Sequence, residues 1–159
     1  MKRRRAAAVK LVAVALAAGC GKHEFEPPPR EAQVAAADSI YSTVLFDTIA
    51  WDSAGARELE GNAVFAAECR KCHGPLGHGV TEYARQRGLD VPSLVEPGWK
   101  YAQRIDSVRH TIFVGHTAGM PTWGVAGISP REIDAVAYYV LYRLRPDVLG
   151  GDTAGAPDR

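Results

Sequence analysis

Cysteine is scarce in this 159-residue chain, with three in all. That count excludes a scaffold stapled by several disulfides. Methionine is scarcer: Met1 and Met120 are the only two. A long apolar run is missing from the N-terminus. Lys10 interrupts it and leaves Leu11 to Gly19 uncharged, well short of the roughly 20 apolar residues that cross a bilayer core. Neither sign of charge dominates, with 19 Lys and Arg against 18 Asp and Glu. Nothing in that balance points to nucleic acid as a partner. Strand patterns are few and helical spacing recurs.

The chemistry that is present concentrates in Cys69-Arg70-Lys71-Cys72-His73. Two cysteines three residues apart, with histidine directly after, read as a covalent c-type haem attachment site. On a helix the two sulfurs lie about one turn apart and reach the porphyrin vinyl groups as thioethers. His73 then falls under the iron and supplies the proximal nitrogen. Two other uses of the pair stand beside this one. Half a zinc site would need further ligands, and by count His78, His110 and His116 are available. A redox dithiol usually sits in a βαβ context, which the sequence does not show.

Met1-Lys2-Arg3-Arg4-Arg5 followed by an alanine-rich apolar stretch has the form of a secretory signal, residues 1–19. It ends Leu16-Ala17-Ala18-Gly19-Cys20, which resembles a bacterial lipoprotein lipobox. The resemblance implies lipidation of Cys20 as the first mature residue, with Ala17 where a larger apolar residue is usual. Two or more acyl chains would anchor the protein stably, at about 0.8 kcal/mol per buried CH₂. Ordinary cleavage with a free Cys20 thiol is the alternative. Loss of the signal leaves 14 Lys and Arg against 18 Asp and Glu, a mature charge near −4.

Composition divides the rest. Cys20 and a proline-rich stretch, residues 20–37 with Pro27-Pro28-Pro29, read as an extended tether. Its reach is about 60 Å at most. Residues 38–56 are too apolar for a free linker, with Ile40, Tyr41, Val44, Leu45, Phe46, Ile49 and Trp51. They read as a strap packed on the following domain, or as a dock for a membrane partner. Residues 57–146 are the compact domain, and 147–159 a flexible tail.

Within the domain a first helix is predicted over 56–69, with Gly61, Phe65 and Cys69 on one face. A glycine there costs about 1 kcal/mol of helix propensity against alanine, and close approach of another helix would justify it. A short helix is expected over 81–86 and a middle one over 102–113, stopped by Gly115. Ser129-Pro130-Arg131-Glu132 combines a capping box with proline at the first helical position. Ile133, Ala137, Val140 and Leu144 continue it as an apolar stripe, and Arg145-Pro146 should end it. Between the last two lies Gly115-His116-Thr117-Ala118-Gly119-Met120-Pro121-Thr122-Trp123-Gly124. Its glycines allow close wrapping around a flat ligand. The Met120 thioether suits low-spin haem iron. Met120 as a core filler and His116 as the sixth ligand are the alternatives.

Taken together these residues resemble a class I c-type cytochrome of the small bacterial monohaem kind. The pattern is Gly61, Phe65, Cys69-x-x-Cys72-His73-Gly74, Gly77, Gly79, Pro92-x-Leu94, Gly119-Met120-Pro121 and the Ser129–Leu144 helix, covering residues 57–146. The resemblance implies an all-α cytochrome c fold, a few helices around one covalent haem c, with Gly61 and Phe65 meeting the tyrosine-bearing last helix. It implies Leu94 and Trp123 near the haem and an open haem edge, with Arg70, Lys71 and His78 near that edge or its rim; Lys100, Arg104 or Trp99 are the candidates to meet a propionate. Axial positions filled by His73 and Met120 leave no vacancy for substrate, so the expected role is electron transfer and not catalysis. The leading expectation is a lipid-tethered shuttle on the periplasmic side of a bacterial membrane, serving a quinol-oxidising complex, an oxidase or a reaction centre. A fixed haem subunit of a larger membrane oxidoreductase is the second, and a haem-based sensor the third.

Overall fold

The computed structural model describes residues 26–150; the expected signal, Cys20, His23 and most of the expected tail lie outside the described residues. Among the described residues every regular element is helical and there is no strand. In chain order they are α1 (Arg30–Ile40), a 3₁₀ turn (Thr43–Phe46), α2 (Ala54–Val64), a π turn (Phe65–Cys69) and α3 (Arg70–His73). Then follow α4 (Glu82–Gln86), α5 (Ile105–Val114), α6 (Trp123–Ala126), α7 (Pro130–Tyr139), a second π turn (Val140–Leu144) and α8 (Arg145–Leu149). No described helix is long and apolar enough to cross a membrane.

Helices α2 and α7 cross at Gly61. A Cβ added there would sit 2.7 Å from both the Ala135 carbonyl carbon and Tyr139 Cβ, and closer still to the Ala135 oxygen. The missing side chain is what lets the backbones meet. One turn on, Phe65 and Tyr139 pack with ring centroids 5.6 Å apart. The stripe on the last helix is fully internal: Ile133 and Ala137 are 0% exposed, Val140 and Leu144 4%. Val64, Phe65, Val108, Ile112 and Phe113 complete the same core. Its stability comes from removing this apolar surface from water, at about 25 cal/mol per Å².

Helix ends follow their side chains. Ser53 Oγ accepts the Ala56 N–H at 3.1 Å and starts α2. At α7 the Ser129 hydroxyl accepts the Glu132 N–H at 3.3 Å, and the Glu132 carboxylate accepts the Ser129 N–H at 2.8 Å. Both halves of the expected capping box are formed.

Three boundaries differ from expectation. The proline tether ends at Pro29, and residues 30–37 are helical within α1. Proline is tolerated at a helix start, and the Glu-Ala-Gln-Val-Ala-Ala-Ala run beyond it is strongly helix-forming. The middle helix begins at Ile105, because Gln103 has φ +62° and breaks the α conformation before it. Pro146 does not stop the last helix. The π turn before it moves the Arg145 N–H bond to Val140 O, five residues back, and Pro146 falls in the first turn of α8, where a missing N–H costs little. Gly150, at φ +69°, is the actual stop.

Residues 41–53 lie on the helical body. Phe46 is 6% exposed. The Tyr41 ring meets Phe113 edge-on at 5.4 Å, and Trp51 Nε1 donates to Asp134 at 2.7 Å.

Candidate haem site and its relatives

The attachment motif sits where α2 changes register. The π turn ends at Cys69, with the Arg70 N–H bonded to Phe65 O. Helix α3 then carries Arg70 to His73 and closes at Gly74, whose N–H meets Arg70 O at 2.8 Å. Cys69 and Cys72 are free and half-buried. Burial, with Glu68 and Cys72 beside it, pushes the Cys69 thiol up to about 12. A dithiol built for exchange needs the opposite, a thiolate favoured near neutral pH.

Two backbone links then bring residues 91–94 beside His73. Gly79 N–H donates to His73 O at 2.8 Å, and Leu94 N–H donates to Gly77 O at 2.8 Å. Gly79, at φ +79°, leaves room for Val91 O and Pro92 O, which a Cβ would strike. Thr81 caps α4 through the Ala84 N–H and donates its hydroxyl to Cys72 O at 3.3 Å. The Pro92 carbonyl thus comes close to the His73 ring and acts to raise its pKa. Burial is the larger effect and lowers it, which holds the imidazole neutral, the form that ligates a metal. His73 Nδ1 is buried and makes no hydrogen bond of normal geometry.

The Met120 loop is closed on itself. His116 N–H donates to Met120 O at 3.1 Å, and Gly119 N–H to His116 O at 3.0 Å. Gly115, at φ +74°, lets Met120 O and Pro121 O approach within 2.6 Å of where a Cβ would stand. Arg30 Nε donates to His116 O at 3.3 Å, tying α1 to the loop. His116 itself is exposed, and its Nδ1 accepts the Ala118 N–H at 3.1 Å. That bond commits the ring to its own loop. Met120 is half-buried on the core.

A covalent haem fits these residues. Cys69, Leu94, Trp99, Tyr101, Ile105, Met120 and Trp123 all pack on the core yet stay partly open. Cys69 of the attachment pair and Met120 of the loop thus both meet one core at its half-exposed margin, and the buried His73 Nδ1, without a normal hydrogen bond, follows directly in the motif. No group of three or more His, Cys, Asp or Glu side chains with metal-binding geometry exists among the described residues. The zinc alternative therefore finds no site there. His78 is exposed, and His110 Nε2 lies 2.7 Å from Asp38. Lys71 and Arg87 stack on the Tyr83 ring at 4.3 and 3.9 Å. Lys100 lies over Tyr101 at 4.7 Å, and Trp99 meets Tyr101 edge-on at 5.4 Å.

Residues 56–140, which include the whole attachment motif and the Met120 loop, match the family described as cytochrome c oxidase, cbb3-type, subunit III. The chain belongs to that family. It is a c-type cytochrome domain, as the motif resemblance implied, and its helical architecture agrees. Among its relatives is the cbb3-type cytochrome c oxidase subunit CcoP of Rhodobacter capsulatus, 35% identical over 91 residues, covering 54% of this chain and 29% of the relative. The CcoP of Rubrivivax gelatinosus is 26% identical over 121 residues, 76% of this chain and 36% of the relative. The subunit FixP of Azorhizobium caulinodans is 35% identical over 81 residues, 51% and 25%. The chain thus spans a quarter to about a third of the length of these relatives. No solved structure matches it.

Two charged features of this cytochrome domain escaped the sequence analysis. Asp134, 1% exposed, receives Arg57 Nη2 at 2.5 Å, Arg109 Nε at 2.9 Å and Trp51 Nε1 at 2.7 Å. An acid set within the apolar run Ile133–Ala137 was the available signal. Arg145, 7% exposed, was read only as a helix end.

Proposed function

We propose that this chain is the haem c domain of a fixed electron-transfer subunit in a membrane oxidoreductase complex of the terminal-oxidase type. The observation that carries it is the match over residues 56–140 to an oxidase subunit family, with relatives that are oxidase subunits. This favours the second expectation over the free shuttle with which the sequence analysis led.

On this reading Cys69 and Cys72 would hold one haem through two thioethers, and His73 and Met120 would ligate its iron. When bound, the haem supplies a single Fe(III)/Fe(II) couple. The thioethers prevent loss of the cofactor. Burial keeps the imidazole neutral for ligation, and the closed Met120 loop keeps the thioether from swinging away. With the iron held by both side chains no position would remain for substrate, so the residues support electron transfer and not bond chemistry. Both ligand-bearing segments are pinned by backbone hydrogen bonds, which would keep rearrangement small on electron transfer. Lipidated Cys20 would hold the domain at the periplasmic membrane surface, with no nucleic acid as partner.

The test is purification from detergent-solubilised membranes at moderate salt, with an optical spectrum of the reduced protein and an intact mass. Co-elution with oxidase subunits, a c-type spectrum and a mass increment of one haem are expected. Release as a lone haem protein would return the tethered carrier to first place. A colourless chain made with its maturation machinery present would refute both.

A further inference from the structure

Arg145 is 7% exposed, yet it belongs to no ion pair among the described residues. Its donors go to neutral carbonyls. Nη1 donates to Leu94 O and, at 3.5 Å, to Glu96 O; Nη2 donates to Glu96 O at 3.4 Å. The guanidinium carbon lies 4.9 Å from the Trp99 ring centroid. The acid nearest in sequence, Asp147, is taken by Arg143 at 3.0 Å. The domain's other deeply buried arginine differs, since Arg57 closes on Asp134. An arginine buried without a carboxylate is costly, because water is removed and no opposite charge replaces it. Such a group calls for an account.

Its position supplies one. The segment it grips, residues 94–96, is hung on the attachment loop by the Leu94 N–H to Gly77 O bond, and Gly79 is bonded to His73 O. Two residues before Leu94 stands the Pro92 carbonyl that acts on the His73 ring. Leu94 and Trp99, both touched by Arg145, are partly buried against the core.

On the haem reading above, on which this rests, we infer that Arg145 is a positioning residue that sets the reduction potential upward. Its fork fixes the segment carrying Pro92 and Leu94, and its fixed positive charge sits on that segment, which is bonded to the attachment loop at Gly77. Reduction adds one electron to the site and removes one positive charge from it. A buried cation nearby therefore favours the reduced form, and low surrounding polarity strengthens the effect. The guanidinium keeps its proton at any working pH, so no proton accompanies the electron on its account.

The test uses the full haem-loaded chain in an optical redox titration with Arg145→Gln, Arg145→Lys and Arg143→Gln. Arg143 is the control, being half-exposed and paired to Glu58 and Asp147. At a fixed poise Arg145→Gln should raise the oxidised-to-reduced ratio about tenfold, a drop of about 59 mV for a one-electron couple. Arg145→Lys, which keeps the charge, should recover most of that, and Arg143→Gln should change the ratio less than twofold. Equal shifts in the Gln and Lys variants, or an equal shift in Arg143→Gln, would overturn the proposal. So would loss of the methionine-ligation band in both Arg145 variants, which would make Arg145 purely a scaffold residue. A wild type without haem would instead refute the haem reading itself.

Discussion

Replacing Gly61 by alanine sets two effects of opposite sign against each other. In an isolated helix the change is favourable by about 1 kcal/mol, because glycine has more backbone freedom to lose. Here the new methyl would stand 2.7 Å from Tyr139 Cβ and from the Ala135 carbonyl carbon, and nearer still to its oxygen. Two of these three neighbours are backbone atoms, so no side chain can turn aside. Helices α2 and α7 must part, opening the core around Phe65 and Ile133. Overpacking of this kind costs about 1–3 kcal/mol, and a backbone obstacle puts it at the upper end. The net expectation is a loss of about 2 kcal/mol. That corresponds to a fall of roughly 8 °C in melting temperature for a domain of this size. Urea unfolding of the haem-loaded protein, followed by far-ultraviolet circular dichroism, measures it. Gly55→Ala is the control, since its Cβ would meet nothing nearer than Ser53 Oγ at 3.7 Å; it should be neutral or stabilising. If Gly61→Ala proves as stable as the wild type, the crossing does not depend on that missing side chain and the reasoning fails.

Asp134→Ala would leave Arg57 and Arg109 facing each other without their shared carboxylate, at an expected cost of about 3–5 kcal/mol; an unchanged urea midpoint would contradict that. Glu132 has its carboxyl held below its ordinary 4.5, first by the Ser129 hydroxyl and then by the Ser129 N–H. A depressed folded pKa adds stability that is present above 4.5 and lost as pH falls through the folded value. The stability gap between wild type and Glu132→Gln should therefore be full at neutral pH and close below pH 4.5; a gap that widens on acidification would show the sign to be wrong. Met120→Ala should keep its covalent haem, bind carbon monoxide when reduced and show a lower potential, as a spectrum that still reports methionine ligation would disprove. Cys72→Ser should lose acid-stable haem staining in part or whole, and unchanged staining would remove the thioether assignment.

Much of the fold was legible in the residues because its signals are local. The stripe Ile133, Ala137, Val140, Leu144 and the Ser129–Glu132 box marked α7 from side chains within a few residues of each other. Gly115 marked the end of α5 for the same reason. The misjudged boundaries had causes outside those windows. Pro146 looks like a stop until a π turn shifts the hydrogen-bond register ahead of it. Residues 30–37 look like tether when the prolines before them dominate the window. Asp134 and Arg145 were missed because a charge on a helix is assumed to face water; for Asp134 the apolar run around it was the one local hint, and for Arg145 only packing of other elements shows its burial.

By itself the sequence determined the family, since a pair of thiols at one-turn spacing with an adjacent imidazole has few other uses; Met120 as the thioether donor belongs to the proposed haem site. Tertiary structure alone decided which groups act on that chemistry from a distance. Segments 15 to 70 residues away in the chain reach the site, and their placement follows from burial of the whole core. The Pro92 carbonyl beside His73 and the unpaired buried charge of Arg145 are both consequences of that burial, which no local pattern encodes.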